Sequence, residues 1–180
     1  MIRLLRWLVF TVVLAVIIHV AAITLAPSVI MSRVMTVMEK NSKGSIGFGE
    51  RPTAESRQVV RPSPDLLYST CVYDVSRTPY KVVTAAPTDT YWSVSFYADN
   101  SDNFFVLNDA QAAGQPTTIY IVGQGQSAPQ KGAGTIVVSA PTSRGIVLFR
   151  TLINDDARLA ELDQQRRQAS CSPVLPNENR

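Results

Sequence analysis

The chain has 180 residues, 17 Lys and Arg against 14 Asp and Glu, and a formal net charge of +3, so its length supports one modest domain core and not two. Arg3 and Arg6 precede a long apolar run, and without them the balance is 17 less 2, or 15 cations against 14 anions; with no Lys/Arg run interleaved with aromatics, there is no footprint for nucleic acid. The single histidine, His19, lies inside the apolar run, which excludes Ser-His and Cys-His nucleophile pairs and histidine-ligated zinc from everything beyond it.

From Trp7 to Ser32 the chain carries no formal charge and is mostly Leu, Val, Ile, Phe and Ala, long enough to cross a hydrocarbon core that takes about 20 apolar residues. A cleaved secretory signal is the competing reading. The run exceeds the usual signal h-region, and the small-residue site ending at Ala26 is followed by Pro27, so an uncleaved anchor is expected. Flanking charge does not fix the orientation, because Arg33, Lys40 and Lys43 follow the run. The short N-terminal tail with two arginines resembles a start-transfer signal. It points to a single-pass protein with its C-terminal domain on the non-cytoplasmic side. The expected membrane partner is the bilayer itself.

Beyond Pro27, Ile30, Val34, Val37 and Met38 recur at helical spacing, which predicts an amphipathic helix continuing through Glu39. Met31, Met35 and Met38 form either an adaptable contact surface or ordinary packing. Residues 1–40 are thus read as anchor and juxtamembrane helix, and 41–64, rich in Gly, Ser, Pro and charge, as a linker. Residues 65–180 are the exported domain.

Short runs rich in β-branched and aromatic residues start at Leu66, Tyr80, Tyr91, Asn103, Thr117, Thr135 and Gly145, separated by turn-forming clusters. In YWSVSFYA, Trp92, Val94 and Phe96 alternate with Tyr91, Ser93, Ser95 and Tyr97, which predicts one apolar and one wetter face. The expectation is a mainly β fold: a small antiparallel β-sandwich or barrel-like domain. Gly123–Gly134 has the composition of a surface loop. A C-terminal helix is predicted from Asp155 to about Gln168, capped by Asn154, with Asp155 and Asp156 in its first turn and Arg166 and Arg167 in its last. It would bring Cys171 back toward Cys71. The two are read as a disulfide of an oxidising compartment, with two unrelated buried thiols as the alternative.

The blocks RPSPDLLYSTCVYDVS, YWSVSFYADNSDNFFVLND and APTSRGIVLFR resemble the bacterial family known as domain of unknown function 1254, in its short form with an N-terminal membrane helix. The resemblance covers Val60 to Leu152 and is most specific in the middle block. It implies a β-rich envelope domain and no established chemistry. Longer members of that family join this module to a second β domain.

The candidate polar site is the cluster Asp99, Asn100, Asp102, Asn103, Asn108 and Asp109. Asp99, Ser101 and Asn103 give a calcium-like spacing, but the loop lacks glycine at its sixth position and has Ala110 at its twelfth, so no metal is assigned. Turn chemistry is the competing account of the cluster. Asp65, Tyr68 and Asp74 would join it if the first strand lies nearby. Tyr91 and Tyr97 are candidates for a glycan platform, and Trp92 is assigned to the core. The loops GQGQ and QKGAGT lack GK[ST], so no nucleotide and no cofactor are expected. The expectation is a non-enzymatic envelope module that binds a partner protein or envelope component. The alternative is a carboxylate- or metal-dependent enzyme or binder acting on envelope glycans or lipids through Asp65, Asp99, Asp102 and Asp109.

Overall fold

The computed structural model describes residues 2–42, 45–57, 61–127, 129 and 134–175. Lys43, parts of the predicted linker and of the Gly123–Gly134 loop, and the last five residues lie outside that set.

A single helix, α1 (Ile2–Ser42), runs through Pro27 without interruption. At about 1.5 Å per residue it is about 60 Å long, twice the hydrocarbon thickness it is apolar enough to cross. The excess lies at its C-terminal end, where it meets the β domain. There Met35 is buried and Glu39 forms an ion pair with Arg144 at 2.6 Å. The buried helix face is built from Met31, Val34, Met35 and Met38, whereas Ile30 and Val37 of the predicted stripe stay exposed.

The rest of the chain is a two-layer β structure. Its strands are β1 (Gly47–Phe48), β2 (Leu66–Asp74), β3 (Tyr80–Val83), β4 (Trp92–Ala98), β5 (Asn103–Asn108), β6 (Thr118–Val122), β7 (Thr135–Ser139), β8 (Arg144–Leu152) and β9 (Ser170–Pro173). One sheet has the order β1-β2-β8-β4-β5, and the other β7-β6-β3-β9. The first is antiparallel throughout. In the second, β7 runs parallel to β6, the one parallel pair among the described strands of an otherwise antiparallel sandwich. The physical reason is the connection: residues 123–134 amount to a dozen, long enough for the crossover a parallel pair needs, where a hairpin needs two to five.

Period-two alternation decides which side chains meet between the sheets. Cys71 and Tyr73 of β2, Val94 and Phe96 of β4, and Val147 and Phe149 of β8 face Tyr80, Val82, Ile119 and Ile121 of the second sheet in one buried cluster. Trp92 joins it, as its place in the alternation predicts. The disulfide Cys71–Cys171, with an S–S distance of 2.08 Å, ties β2 of one sheet to β9 of the other. Two strands were not expected. Gly47–Phe48, inside the predicted linker, pairs with Thr70 and Ser69 at the edge of the first sheet, and Ser170–Pro173 pairs with β3.

After β8, Asp155 caps a 3-10 turn (Asp156–Arg158), its carboxylate accepting from the amide of Ala157. The helix α2 (Leu159–Arg166) follows directly. The cap therefore falls on Asp155 and not on Asn154, whose side chain donates to the carbonyl of Asp89. The helix also ends earlier than predicted, because the chain turns at Arg167 and enters β9.

Candidate functional site

In β2, Leu67, Ser69, Cys71 and Tyr73 point into the domain, so Tyr68 and Thr70 lie on the outer face. The register places Ile146, Leu148 and Arg150 of β8 beside them, followed by Ser93, Ser95 and Tyr97 of β4. This outer face is not free. The C-terminal half of α1, together with Glu50, Pro52, Glu55, Ser56, Arg61 and Pro62, lines an open cleft of about 1320 Å³ over it.

The helix wall of the cleft is apolar, with Ile23, Pro27, Ile30, Met31, Val34 and Met38. On the sheet side it has Ile146 and Leu148, then Tyr68, Tyr97 and Arg150. The guanidinium of Arg150 donates to the Tyr97 hydroxyl at 3.0 Å and to Ser95 Oγ at 3.4 Å. Among the described residues Arg150 has no carboxylate within ion-pairing distance. Tyr68 is held from its other end, its hydroxyl accepting from the amide of Ser63 at 3.0 Å. Glu50, Glu55 and Arg61 complete the charged lining. Ser93 and Ser95, expected on a wetter face, are buried. Ser93 is the cross-strand partner of Arg150, and Ser95 is hydrogen-bonded to it.

Of the residues singled out in the sequence, the cleft brings together Met31 and Met38 of the helix with Tyr68, Tyr97 and Ser101. The others are dispersed. Asp99, Asn100 and Asp102 form the turn between β4 and β5, where Asn100 Nδ2 donates to Asp102 at 2.6 Å and the Asp102 amide donates back to Asn100 Oδ1. Asn103 opens β5 and is exposed. Asn108 and Asp109 sit at the far end of the same strand, about 17–20 Å away, where Asn108 and Gln111 exchange two hydrogen bonds. Asp65 precedes β2 at that far end, three inter-strand spacings or about 14 Å from Asp109. Acid–base work by paired carboxylates needs about 5–10 Å. Asp74 is at the opposite end of β2 from Asp65, beside Arg144 at 3.9 Å. Its carboxyl loses some hydration by burial, but bonds from Ser76 and the charges of Arg144 and Arg77 outweigh that and hold it below the usual aspartate range. Tyr91 is exposed at the start of β4, away from Tyr97.

Sequence reasoning missed Arg150. The signal was present in GIVLFRTL, where period-two spacing puts Arg150 in line with Ile146 and Leu148, a cation at the end of an apolar stripe.

Helix and sheets define a class, a β-sandwich joined to one N-terminal helix long and apolar enough to cross a membrane. Within that class the chain belongs to the family described as protein of unknown function (DUF1254), which matches residues 45–173. No curated protein matches it. Among solved structures it is similar to the VPA0106 protein from Vibrio parahaemolyticus, with a TM-score of 0.56 and 13% identity over 62% of this chain and 28% of that one. A putative uncharacterized protein from Burkholderia cenocepacia matches with a TM-score of 0.48 and 20% identity over 80% of this chain and 40% of that one. The chain thus spans well under half the length of each, and the first likeness is one of fold.

Proposed function

We propose that this protein is a non-enzymatic, single-pass envelope module of a bacterial inner membrane, and that its periplasmic β domain holds an envelope component in the cleft between α1 and the first sheet. One observation carries the reading: the helix that is apolar enough to cross a membrane also forms a wall of the cleft, opposite Tyr68, Tyr97 and Arg150. Such a site is mostly apolar with a few convergent polar groups, the usual make-up of a binding pocket. The disulfide favours an oxidising compartment. Asp65 and Asp109 lie at one end of the strands, about 14 Å apart, and Asp99 and Asp102 share a turn at the other, where Asn100 and Asp102 bond each other; this turn chemistry supports a structural over an acid–base role for them.

A photoreactive amino acid at Leu148 tests this in intact cells, with Asn100 on the exposed turn as the control position. An occupied cleft yields a discrete adduct from Leu148 that is absent from Asn100. Equal background from both positions contradicts the reading.

A further inference from the structure

We propose that the component held in the cleft is a phospholipid of the bilayer that α1 crosses, with an acyl chain along the helix wall and its phosphate at Arg150. This rests on the reading of the cleft as a binding site and names its occupant.

Three observations point to a lipid. The helix wall starts at Ala22 and Ile23, inside the uncharged run Trp7–Ser32, and continues past Pro27 to Met38. About 20 residues of that run suffice to cross the hydrocarbon, so the wall leads from the membrane interface onto the sheet, and every helix residue that lines it, from Ala22 to Met38, is apolar. An acyl chain laid along it stays against apolar side chains. Second, the cleft, at about 1320 Å³, is larger than the roughly 300–1,000 Å³ usual for small-molecule pockets.

The third is charge. Arg150 lies beyond Ile146 and Leu148 on the sheet wall, where its planar guanidinium is braced by the Tyr97 hydroxyl and Ser95 Oγ and meets no carboxylate among the described residues. Guanidinium is the side-chain group best matched to phosphate, through paired N–H donors. The Tyr68 hydroxyl lines the same end of the cleft. Glu50 and Glu55, both acidic, and the cationic Arg61 also line the cleft. That mixed lining suits a head group carrying an ammonium beside its phosphate.

The test uses the full-length protein in vesicles of phosphatidylethanolamine and phosphatidylglycerol, doped with phosphatidylethanolamine that carries a diazirine on one acyl chain. Irradiation and peptide mapping should place adducts on Ile146–Leu148 as well as on α1. Arg150→Gln should cut the β8 adducts at least tenfold while adducts on residues 7–21 stay constant as an internal control, and Arg150→Lys should restore part of the yield. Leu148→Trp, which narrows the cleft over β8, should also lower them with the disulfide intact. Adducts confined to residues 7–21, or a β8 yield unchanged in Arg150→Gln, overturn the proposal. So does an equal or greater β8 yield from a photoreactive free fatty acid. A Leu148 crosslink in cells that reaches only protein overturns the lipid and leaves the binding reading standing. Equal background at Leu148 and Asn100 removes both.

Discussion

The guanidinium of Arg166, on α2, donates to the backbone carbonyl of Gly49 at 2.7 Å, across 117 residues of chain. The same group donates to the carbonyl of Tyr68 at 2.7 Å and to Ser69 Oγ, and it pairs with Asp163. Arg166 is only 4% exposed. One side chain thus joins the edge strand β1, the cleft-bearing strand β2 and the C-terminal helix. Removing the guanidinium takes a donor from the Tyr68 carbonyl and the buried Ser69 hydroxyl, at about 1–3 kcal/mol for a buried group left unsatisfied, while Asp163, itself part-exposed, keeps its pair with Arg167 at 2.8 Å. Arg166→Ala is expected to destabilise the full chain by that amount in denaturant titration in mild detergent. Arg51→Ala, which removes the exposed pair with Asp156, should cost less than about 1 kcal/mol.

The disulfide closes a loop of 100 residues between the two sheets. Constraint of the unfolded chain by a loop of that size is worth up to about 4.7 kcal/mol in the chain-entropy model. The double variant Cys71→Ala with Cys171→Ala should therefore lose about 2–5 kcal/mol. Thermal unfolding with and without reductant checks this: the wild type should fall to the variant's midpoint on reduction, and the variant should not move.

Gly145 of β8 is buried beneath Tyr73, whose hydroxyl reaches over it to the carbonyl of Tyr97 at 3.3 Å. A Cβ at position 145 would run into that carbonyl and that hydroxyl, and the carbonyl is backbone that cannot step aside. Gly145→Ala is expected to cost about 1–3 kcal/mol, the usual range for overpacking. A substitution at Gly114, which has open space around it but a φ of +67°, should act only through backbone strain. Paired denaturation curves separate the two.

Burial pushes the Tyr73 phenol up to about 12, with the charge of Asp99 adding to it against a hydrogen bond from Thr142. The folded state therefore keeps a proton that the unfolded state releases near pH 10. Stability from this group is complete below about pH 10 and is lost as pH rises from there through about 12, on the order of 2–3 kcal/mol. Denaturation midpoints at pH 9 and pH 11.5 should show the fall. Tyr73→Phe should reduce the difference without abolishing it, because burial and the Glu39 carboxylate raise Tyr80 as well.

Strands were legible wherever alternation met turn residues. The Trp92, Val94 and Phe96 face was readable because tertiary packing agreed with local pattern. Gly47–Phe48 and Ser170–Pro173 were not, since two residues from a Gly/Ser stretch and a Ser-Cys-Ser-Pro run carry no apolar period; their pairing is set by neighbours. Arg166 read as a cation complementing a helix end, yet it is buried because β1 and β2 supply carbonyls that no local pattern announces. For the candidate site, Tyr68 and Tyr97 were named, but their meeting at Arg150 depends on the β2-β8-β4 order, which single-strand periodicity does not contain.

Thiol labelling of Cys71 and Cys171 in intact and lysed cells, with and without reductant, tests most directly the claim of an anchored, periplasmic β domain. The account predicts that both cysteines resist labelling until reduced, and that after reduction they react with a reagent that reaches the periplasm but does not cross the inner membrane. Free labelling without reductant, appearing only after lysis, would place the domain in the cytoplasm and contradict it.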